Sequence, residues 1–409
     1  MKILHTADTH LEDSHLEDIR PCTEHLYNHA RSTYPDLIIH AGDVFNSQHV
    51  KLDSLSAKYA IDWFARLADI APVVLIEGTP SHEGHATEVF RHISARYPIH
   101  VSSRPEQIYL TAGTFVSEWH TDGITPQPDA IISTLPTPTK EFWQGEGGIE
   151  QTDADISWAL GAIMAGFGVT ASQIDAPHIL TAHCQYRGCQ VSPTQALVGR
   201  DIELSKDQIE MARIHLGCFG HIHMAQEMPG HVFFAGSNYR KNYGEMEEKG
   251  FYIHELNIFE MGDLSTKWVS LPSRKLVKIS TEAATLIMHG CAATFEDHMG
   301  QVDGSHVRVE IRAWQDEADT FSRDSIREFL TSAGAESVDV RVSRIPRENV
   351  RGTEIMEAEG LPAELTALAA SRGEEIPPGV LAKARALESE TPEAIIEAVR
   401  NGSGIRAAA

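Results

Sequence analysis

Seven side chains with metal-binding or acid–base chemistry stand directly after apolar runs that read as strands. They are Asp8 and His10 in "TADTHLE", Asp43 in "IIHAGDVFN", His82 in "GTPSHEG", His183 in "LTAHCQ", and His221 with His223 in "FGHIHMA". Carboxylate and imidazole donors in one set suit Mn2+, Fe2+ or Zn2+, whereas Ca2+ and Mg2+ prefer shells of oxygen alone. Alternation along an extended chain puts residues i and i+2 on one side. That lets Asp8 converge with His10, and His221 with His223. Each signal is weak alone. The chain has 22 histidines, and a strand-end histidine such as His183 is more often a satisfied structural residue than a ligand. Order and conjunction carry the argument: D-x-H, G-D, G-x(3)-H, H and G-H-x-H, all at strand ends.

The elements that must position these residues are legible in the first 110 positions. "KILHTA", "DLIIHAG" and "PVVLIEG" are strands. "PCTEHLYNHARSTY" and "LDSLSAKYAIDWFARLAD" have helical spacing, the second with Leu55, Tyr59, Ile61, Phe64 and Leu67 on its apolar side. Strands apolar throughout, with helices between them, imply an α/β chain whose sheet is covered on both faces and is largely parallel. Ligands collect at the carboxyl ends of such strands. Shorter strands are expected at 128–136, 177–184, 213–223 and 231–237, with the helix "DADISWALGAIMAGFG" ahead of the second.

From about Ser273 the texture changes. "HVRVEIRAW" and "SVDVRVSRI" alternate as half-exposed strands do, around the helix "TFSRDSIREFLTSAGA". The expected organisation is a metal-bearing domain over 1–275, a small α+β domain over 276–347 and a helical tail over 348–409. The tail reads as short helices with apolar positions Leu361, Leu365, Leu368, Leu381, Leu387, Ile395 and Ile396. One of these helices starts at "TPEAIIEAV", with Thr391 as N-cap and Pro392 in the first turn. The end, "NGSGIRAAA", is expected to fray.

Composition excludes several classes. No run of 18 or more apolar residues occurs, so no membrane span is expected; with the opening strand leading directly into charged residues, no cleavable signal is expected either. Cys22, Cys184, Cys189, Cys218 and Cys291 are scattered without a CxxC pair, which suits reduced thiols in a cytoplasm. A net charge of −24 argues against tight DNA binding by this chain alone.

The ordered motif set resembles the calcineurin-like binuclear metallophosphoesterases over residues 8 to 223. The resemblance implies a four-layer α/β/β/α sandwich of two packed mixed sheets. It implies that Asp8, His10 and His223 hold one divalent metal ion, that Asp43 bridges, and that His183 and His221 hold a second. Mn2+ is the expected metal, with Mg2+, Fe2+ or Zn2+ as alternatives. His82 would protonate the leaving oxygen or stabilise the transition state. The family's G-N-H-[D/E] loop is altered here. Ser81 stands where the ligating asparagine would be, a poor neutral ligand, so the second site is expected to be weaker, to recruit Thr79 or a main-chain carbonyl, or to hold its metal only with substrate bound. Glu83 fits the acid after the histidine, and His85 has no counterpart.

Within that superfamily, "FFAGSNYRKNYGEMEEKGF" resembles a segment of the SbcD/Mre11 nucleases, with Gly236, Ser237, Gly244, Glu245, Lys249, Gly250 and Phe251 matching. This implies a metal-dependent exo/endonuclease acting on DNA phosphodiesters in repair or recombination. The 276–347 unit would cap the DNA, and an SbcC/Rad50-like coiled-coil ATPase would dock on the tail. Arg240 and the adjacent Lys241 are candidate phosphate contacts, offset locally by Glu245, Glu247 and Glu248, and a homodimer fits the same group. The competing readings are a nucleotide or cyclic-nucleotide phosphodiesterase, a phosphatase, or a non-enzymatic scaffold.

Overall fold

The structure, a computed structural model, describes residues 1–118, 127–138, 153–193, 195, 202–257, 263–346 and 358–400. The expected frayed end lies outside them. In chain order the strands are β1 Lys2–Thr6, β2 Leu37–His40, β3 Val73–Ile76, β4 Ile99–Ser102, β5 Glu106–Thr111, β6 Thr114–Val116, β7 Ala130–Leu135 and β8 His178–His183. They continue with β9 Gln185–Tyr186, β10 Glu203–Leu204, β11 Leu216–Gly220, β12 Gln226–Met228, β13 Val232–Phe234, β14 Gly250–Leu256 and β15 Leu264–Ser270. The helices among them are α1 Leu16–Thr33, α2 Leu55–Ala68, α3 Asp153–Ala171 and α4 Lys206–Ala212.

Two mixed sheets form, in the orders β15-β14-β1-β2-β3-β4 and β12-β13-β11-β8-β7-β5-β6. Between them lies an apolar layer built from Ile3, Ile39, Val74 and Ile76 of the first and Ile132, Ile179, Leu216 and Phe233 of the second. The outer face of the first sheet packs under α1 and α2 through Leu26, Trp63, Phe64 and Phe251. The outer face of the second packs under α3 and α4 through Leu160, Met164, Leu180 and Ile209. This is the expected helix–sheet–sheet–helix sandwich. Every strand of the centre is apolar on both sides because both sides are buried.

Local signals set the helix ends. Ser54 caps α2 by accepting from the Ala57 N–H at 3.2 Å. Ser205 and Gln208 form a reciprocal capping box on α4. Helix α1 begins at Leu16, five residues ahead of the expected start, and carries Pro21 inside it. Burial of Leu16 and Ile19 against the first sheet outweighs the proline's missing donor. Leu55, expected on the apolar side of α2, is 59% exposed, while Ala57, Ala60 and Trp63 are buried in its place. The strand expected over 213–223 is confined to β11, because Arg213 adopts a left-handed cap on α4 and His221 turns out of the sheet.

The chain divides into two compact units. One comprises Met1–Ile279, Phe295–Val309 and Asp324–Val340; the other comprises Ser280–Thr294, Glu310–Arg323 and Arg341–Ala409. The two expected alternating strands are present as β17 His306–Trp314 and β18 Ser337–Ile345; β16 Leu276–Glu282, not anticipated from the sequence, joins them in one three-stranded sheet of order β16-β17-β18. On β17, Val307, Val309, Ile311 and Ala313 are buried in strict alternation. Helix α5, Ala283–Phe295, lies between β16 and β17 in the chain, and α6, Arg323–Ser332, between β17 and β18. The tail forms α7 Leu361–Arg372, α8 Pro378–Ser389 and α9 Pro392–Arg400. Thr391 accepts from the Ala394 N–H at 3.4 Å, as an N-cap does. No helix of the described residues is long and apolar enough to cross a membrane.

Candidate metal centre

The loops after β1 and β2 continue to pair beyond the sheet. The Ala41 N–H donates to Thr6 O at 2.8 Å, Asp8 N–H to Gly42 O at 3.0 Å, His10 N–H to Asp43 O at 3.0 Å and Leu11 N–H to Val44 O at 2.7 Å. Asp8 and His10 are thereby laid alongside Asp43. They meet as the sequence suggests, but strand alternation is not the cause. Asp8, His10, Asp43 and His221 have φ of 50°, 46°, 55° and 84°, all in the left-handed region. Each such non-glycine residue costs on the order of 1–3 kcal/mol and persists only where its surroundings over-determine it. Bare backbone is also needed beside them. A Cβ on Gly42 would lie 2.3 Å from His183 Nδ1, and one on Gly78 would lie 2.2 Å from Asp43 Oδ1.

Three overlapping groups have donor atoms within 4.8 Å of one another: Asp8 with His10 and His223, Asp8 with Asp43 and His183, and His10 with Asp43 and His82. His10 Nε2 and His223 Nε2 are 2.9 Å apart. His183 Nε2 lies 3.4 Å from Asp43 Oδ2, and His82 Nδ1 lies 2.6 Å from the same oxygen. The His221 ring lies beside that of His183, centroids 5.2 Å apart. Asp8 and Asp43 are fully enclosed, and His82, with its side chain 35% exposed, forms the open edge.

The electrostatics ask for cations. Burial pushes the Asp8 carboxyl above its usual range, with His183 and His223 pulling the other way. Burial and the neighbouring His223 hold the His10 imidazole neutral. His10 Nδ1 is buried without a hydrogen-bond partner. Two carboxylates enclosed among imidazoles, with Asp43 shared between groups, form a donor set that fits two divalent ions.

Surrounding groups fix these donors. His183 Nδ1 donates to Ala41 O at 2.7 Å, which leaves Nε2 for the site. The His221 N–H lies 3.0 and 3.1 Å from the two Asp8 oxygens. Glu245 lies 3.6 Å from His223 Nδ1 and is paired with the buried Lys249 at 2.9 Å. Burial raises the Glu245 carboxyl, but His223 and Lys249 outweigh it and bring it down to about 2. Lys249 also donates to Ser237 Oγ at 2.7 Å and His223 O at 3.3 Å. Asn238 bridges Thr6 and Thr9 beneath the Asp8 loop. Gln195 accepts from the His223 N–H at 3.0 Å and donates to His221 O.

The altered histidine loop forms a short helical turn, Pro80–Glu83. Positions i, i+3 and i+4 of a turn share a face, so Thr79, His82 and Glu83 look inward and Ser81 lies outside. Thr79 N–H donates to Asp43 Oδ1 at 2.5 Å. Its Oγ1 stands 3.3 Å from both Asp43 Oδ2 and His183 Nε2. Ser81 is exposed and holds Gln48 N–H through its main-chain oxygen at 3.1 Å. Thr79, not Ser81, therefore occupies the place beside the second donor group. His85 is exposed and meets Glu77 at 3.4 Å.

Glu83 is fully buried and accepts from Gly78 N–H at 2.5 Å and Val44 N–H at 2.7 Å, tying the turn to the Asp43 loop. Burial, helped by the Asp43 charge, pushes its carboxyl up to about 8 against those two donors. Glu83→Gln must turn an amide N–H2 towards one of them. A thermal melt of the metal-loaded protein is expected to show a loss of about 1–3 kcal/mol, with activity falling alongside.

Arg240 is engaged elsewhere. Its guanidinium donates to the carbonyls of Glu247, Arg274 and Met246 at 3.0, 3.1 and 3.3 Å and so closes its own loop. The neighbouring Lys241 faces the centre instead: Nζ donates to Asn46 Oδ1 at 2.5 Å, and its charge acts on His10. Sequence reasoning missed Gln195 and Asn238. Asn238 could have been suspected as the polar residue directly after "AGS", whereas nothing local marks Gln195.

With this geometry in place, comparison with known proteins assigns the class. The model of the calcineurin-like phosphoesterase family matches residues 1–225, which contain every donor from Asp8 to His223. The chain belongs to that family, and its site is of the binuclear hydrolase type. Protein 244L of Invertebrate iridescent virus 6, described as a phosphoesterase, is 19% identical over 299 residues, covering 70% of this chain and 89% of its own length. A dimetal phosphatase from Danio rerio is similar at 11% identity with a TM-score of 0.37, over 66% of this chain and 96% of its own.

Proposed function

We propose that this chain is a phosphodiesterase of the SbcD/Mre11 type that cleaves DNA. The observation that carries the hydrolytic part is the half-exposed His82, held by Asp43 at the open edge of an otherwise enclosed donor set. In this reading Asp8, His10 and His223 would hold one Mn2+, Asp43 would be shared with a second, and His183 and His221 would hold that second ion with Thr79 beside them. When bound, the two ions supply an activated water and neutralise the non-bridging phosphate oxygens. Asp43 fixes the ring of His82 through Nδ1, which leaves Nε2 to hand a proton to the leaving oxygen. Lys249, through the His223 carbonyl, and the nearby Glu245 carboxylate help hold His223 in position.

The choice of DNA is supported by the segment at 234–251, whose matching residues Ser237, Glu245 and Lys249 stand directly behind His223. Lys241 at the edge offers the phosphate contact. An SbcC/Rad50-like ATPase in a reducing cytoplasm is the partner in this reading, with 276–347 as the capping unit and 348–409 as its docking segment. The −24 charge supports a partner that supplies the DNA-binding cations. Leu361, Leu387 and Ile396 on the tail helices are 36%, 58% and 52% exposed and are available for such docking.

The test compares linear double- and single-stranded DNA with bis-p-nitrophenyl phosphate in Mn2+. Cleavage of DNA is expected, and Lys241→Ala should raise its KM roughly tenfold, one charged hydrogen bond's worth, with a smaller effect on the small diester, which has no extended backbone to meet that charge. Turnover of the small diester with DNA untouched, even with the ATPase partner added, would move the assignment to a nucleotide phosphodiesterase.

A further inference from the structure

A second cluster of donors lies away from the hydrolytic centre, in the apolar layer between the two sheets. His5 comes from β1, His254 from β14 and Cys218 from β11, so the first two belong to one sheet and the third to the other. All three are 0% exposed. One donor atom from each lies within 4.8 Å of the others. Their neighbours in this layer are Ile3, Leu216 and Phe233, where aliphatic and aromatic packing would be the ordinary choice.

The two imidazoles are oriented as ligands are. His5 Nε2 lies 3.2 Å from Phe219 O and donates to it, which leaves a lone pair on Nδ1. His254 Nδ1 lies 2.9 Å from Thr266 Oγ1. A ligating histidine characteristically has its other nitrogen held this way. The two remaining nitrogens, His5 Nδ1 and His254 Nε2, face each other at 3.4 Å. That is long for a hydrogen bond between them. It matches the separation of about 3.4 Å expected of two nitrogens each about 2.0–2.1 Å from one ion.

We propose that His5 Nδ1, His254 Nε2 and Cys218 Sγ form a buried site for one thiophilic d10 cation, Cu+ or Zn2+. Soft thiolate with imidazole selects these ions over the hard cations of the hydrolytic centre. Charge balance favours Cu+: with one thiolate the site is then neutral, whereas Zn2+ would leave a net positive charge in an apolar layer. Burial alone raises the Cys218 thiol, so the ion enters as the thiol proton leaves. Because its ligands come from both sheets, the ion would pin the sandwich from within.

The test uses the full-length chain refolded with Cu+ under reductant, or with Zn2+, then dialysed against a chelator to strip accessible ions. About one equivalent of copper or zinc is expected to remain in the wild type. It should also remain in Asp43→Asn, which keeps this cluster intact. Cys218→Ser and His254→Gln should each lose it and lose the metal-dependent rise in Tm. Retention of the residual ion in both variants, or a wild type that keeps neither metal and gains no stability from either, overturns the site. In those cases the pair is an ordinary hydrogen-bonded contact completed by the Thr266 hydroxyl.

Discussion

Asp43→Asn is expected to reduce hydrolysis by about a thousandfold, a loss of about 4 kcal/mol in transition-state stabilisation, and to lower the metal content of both sites together. The reason is the position of one oxygen. Asp43 Oδ2 lies 2.6 Å from His82, 3.4 Å from His183 and 3.8 Å from His10. Oδ1 is taken by the Thr79 N–H. Asparagine keeps the shape but removes the charge and presents an N–H2 to whichever neighbour it faces. Burial works against the Asp43 charge, and His183 and His82 outweigh it, holding the carboxyl well below its usual range. Its negative charge is the centre around which the histidines are arranged. Metal titration checks this directly: retention of one full equivalent in the variant would show that Asp43 serves a single ion.

His82→Ala separates chemistry from binding. Removing a general acid costs about 10²–10⁴ in rate, and the loss should fall on kcat with little change in metal content. His82 is placed for that division. Its ring is partly open to solvent while the donors behind it are enclosed, and it meets them through Asp43 and, edge-on, the His10 ring. A second substrate sharpens the result. One with a good leaving group such as p-nitrophenolate needs less protonation and should suffer less from the substitution than DNA does. If the variant instead loses an equivalent of metal, His82 is itself a ligand, as its grouping with His10 and Asp43 also allows.

The convergence of Asp8, His10, Asp43, His82, His183 and His223 was legible in the sequence because metal-ligand chemistry restricts residue type, and their order along the strands is distinctive. The path of the backbone was not legible. The left-handed turns at Asp8, His10 and Asp43 depend on pairing with a loop more than 30 residues away in the chain, as the Asp8–Gly42 and His10–Asp43 bonds show. The roles of Thr79 and Ser81 could not be separated by spacing, because they depend on Pro80 starting a helical turn that carries Ser81 outward. Arg240 and Lys241 have the same charge and adjacent places, and only the loop closure by Arg240 decides which one faces the centre. Leu55 failed because α2 is rotated to bury Ala57, Ala60 and Trp63.

The division of the donors between the two sheets has a kinetic meaning. Asp8, His10 and Asp43 follow strands of one sheet, while His183 ends and His221 and His223 follow strands of the other, with His10 and His223 213 positions apart in the chain. The groups Asp8–His10–His223 and Asp8–Asp43–His183 are complete only once the sheets have docked. A grip that needs both sheets fully docked is not yet made in a transition state that buries only part of the native surface. Interactions absent from the transition state slow unfolding without speeding folding. Divalent ions should therefore act on this protein as a latch: the refolding arm of a chevron stays where it is, and the unfolding arm drops. The supply of metal then governs the enzyme's lifetime rather than its rate of assembly.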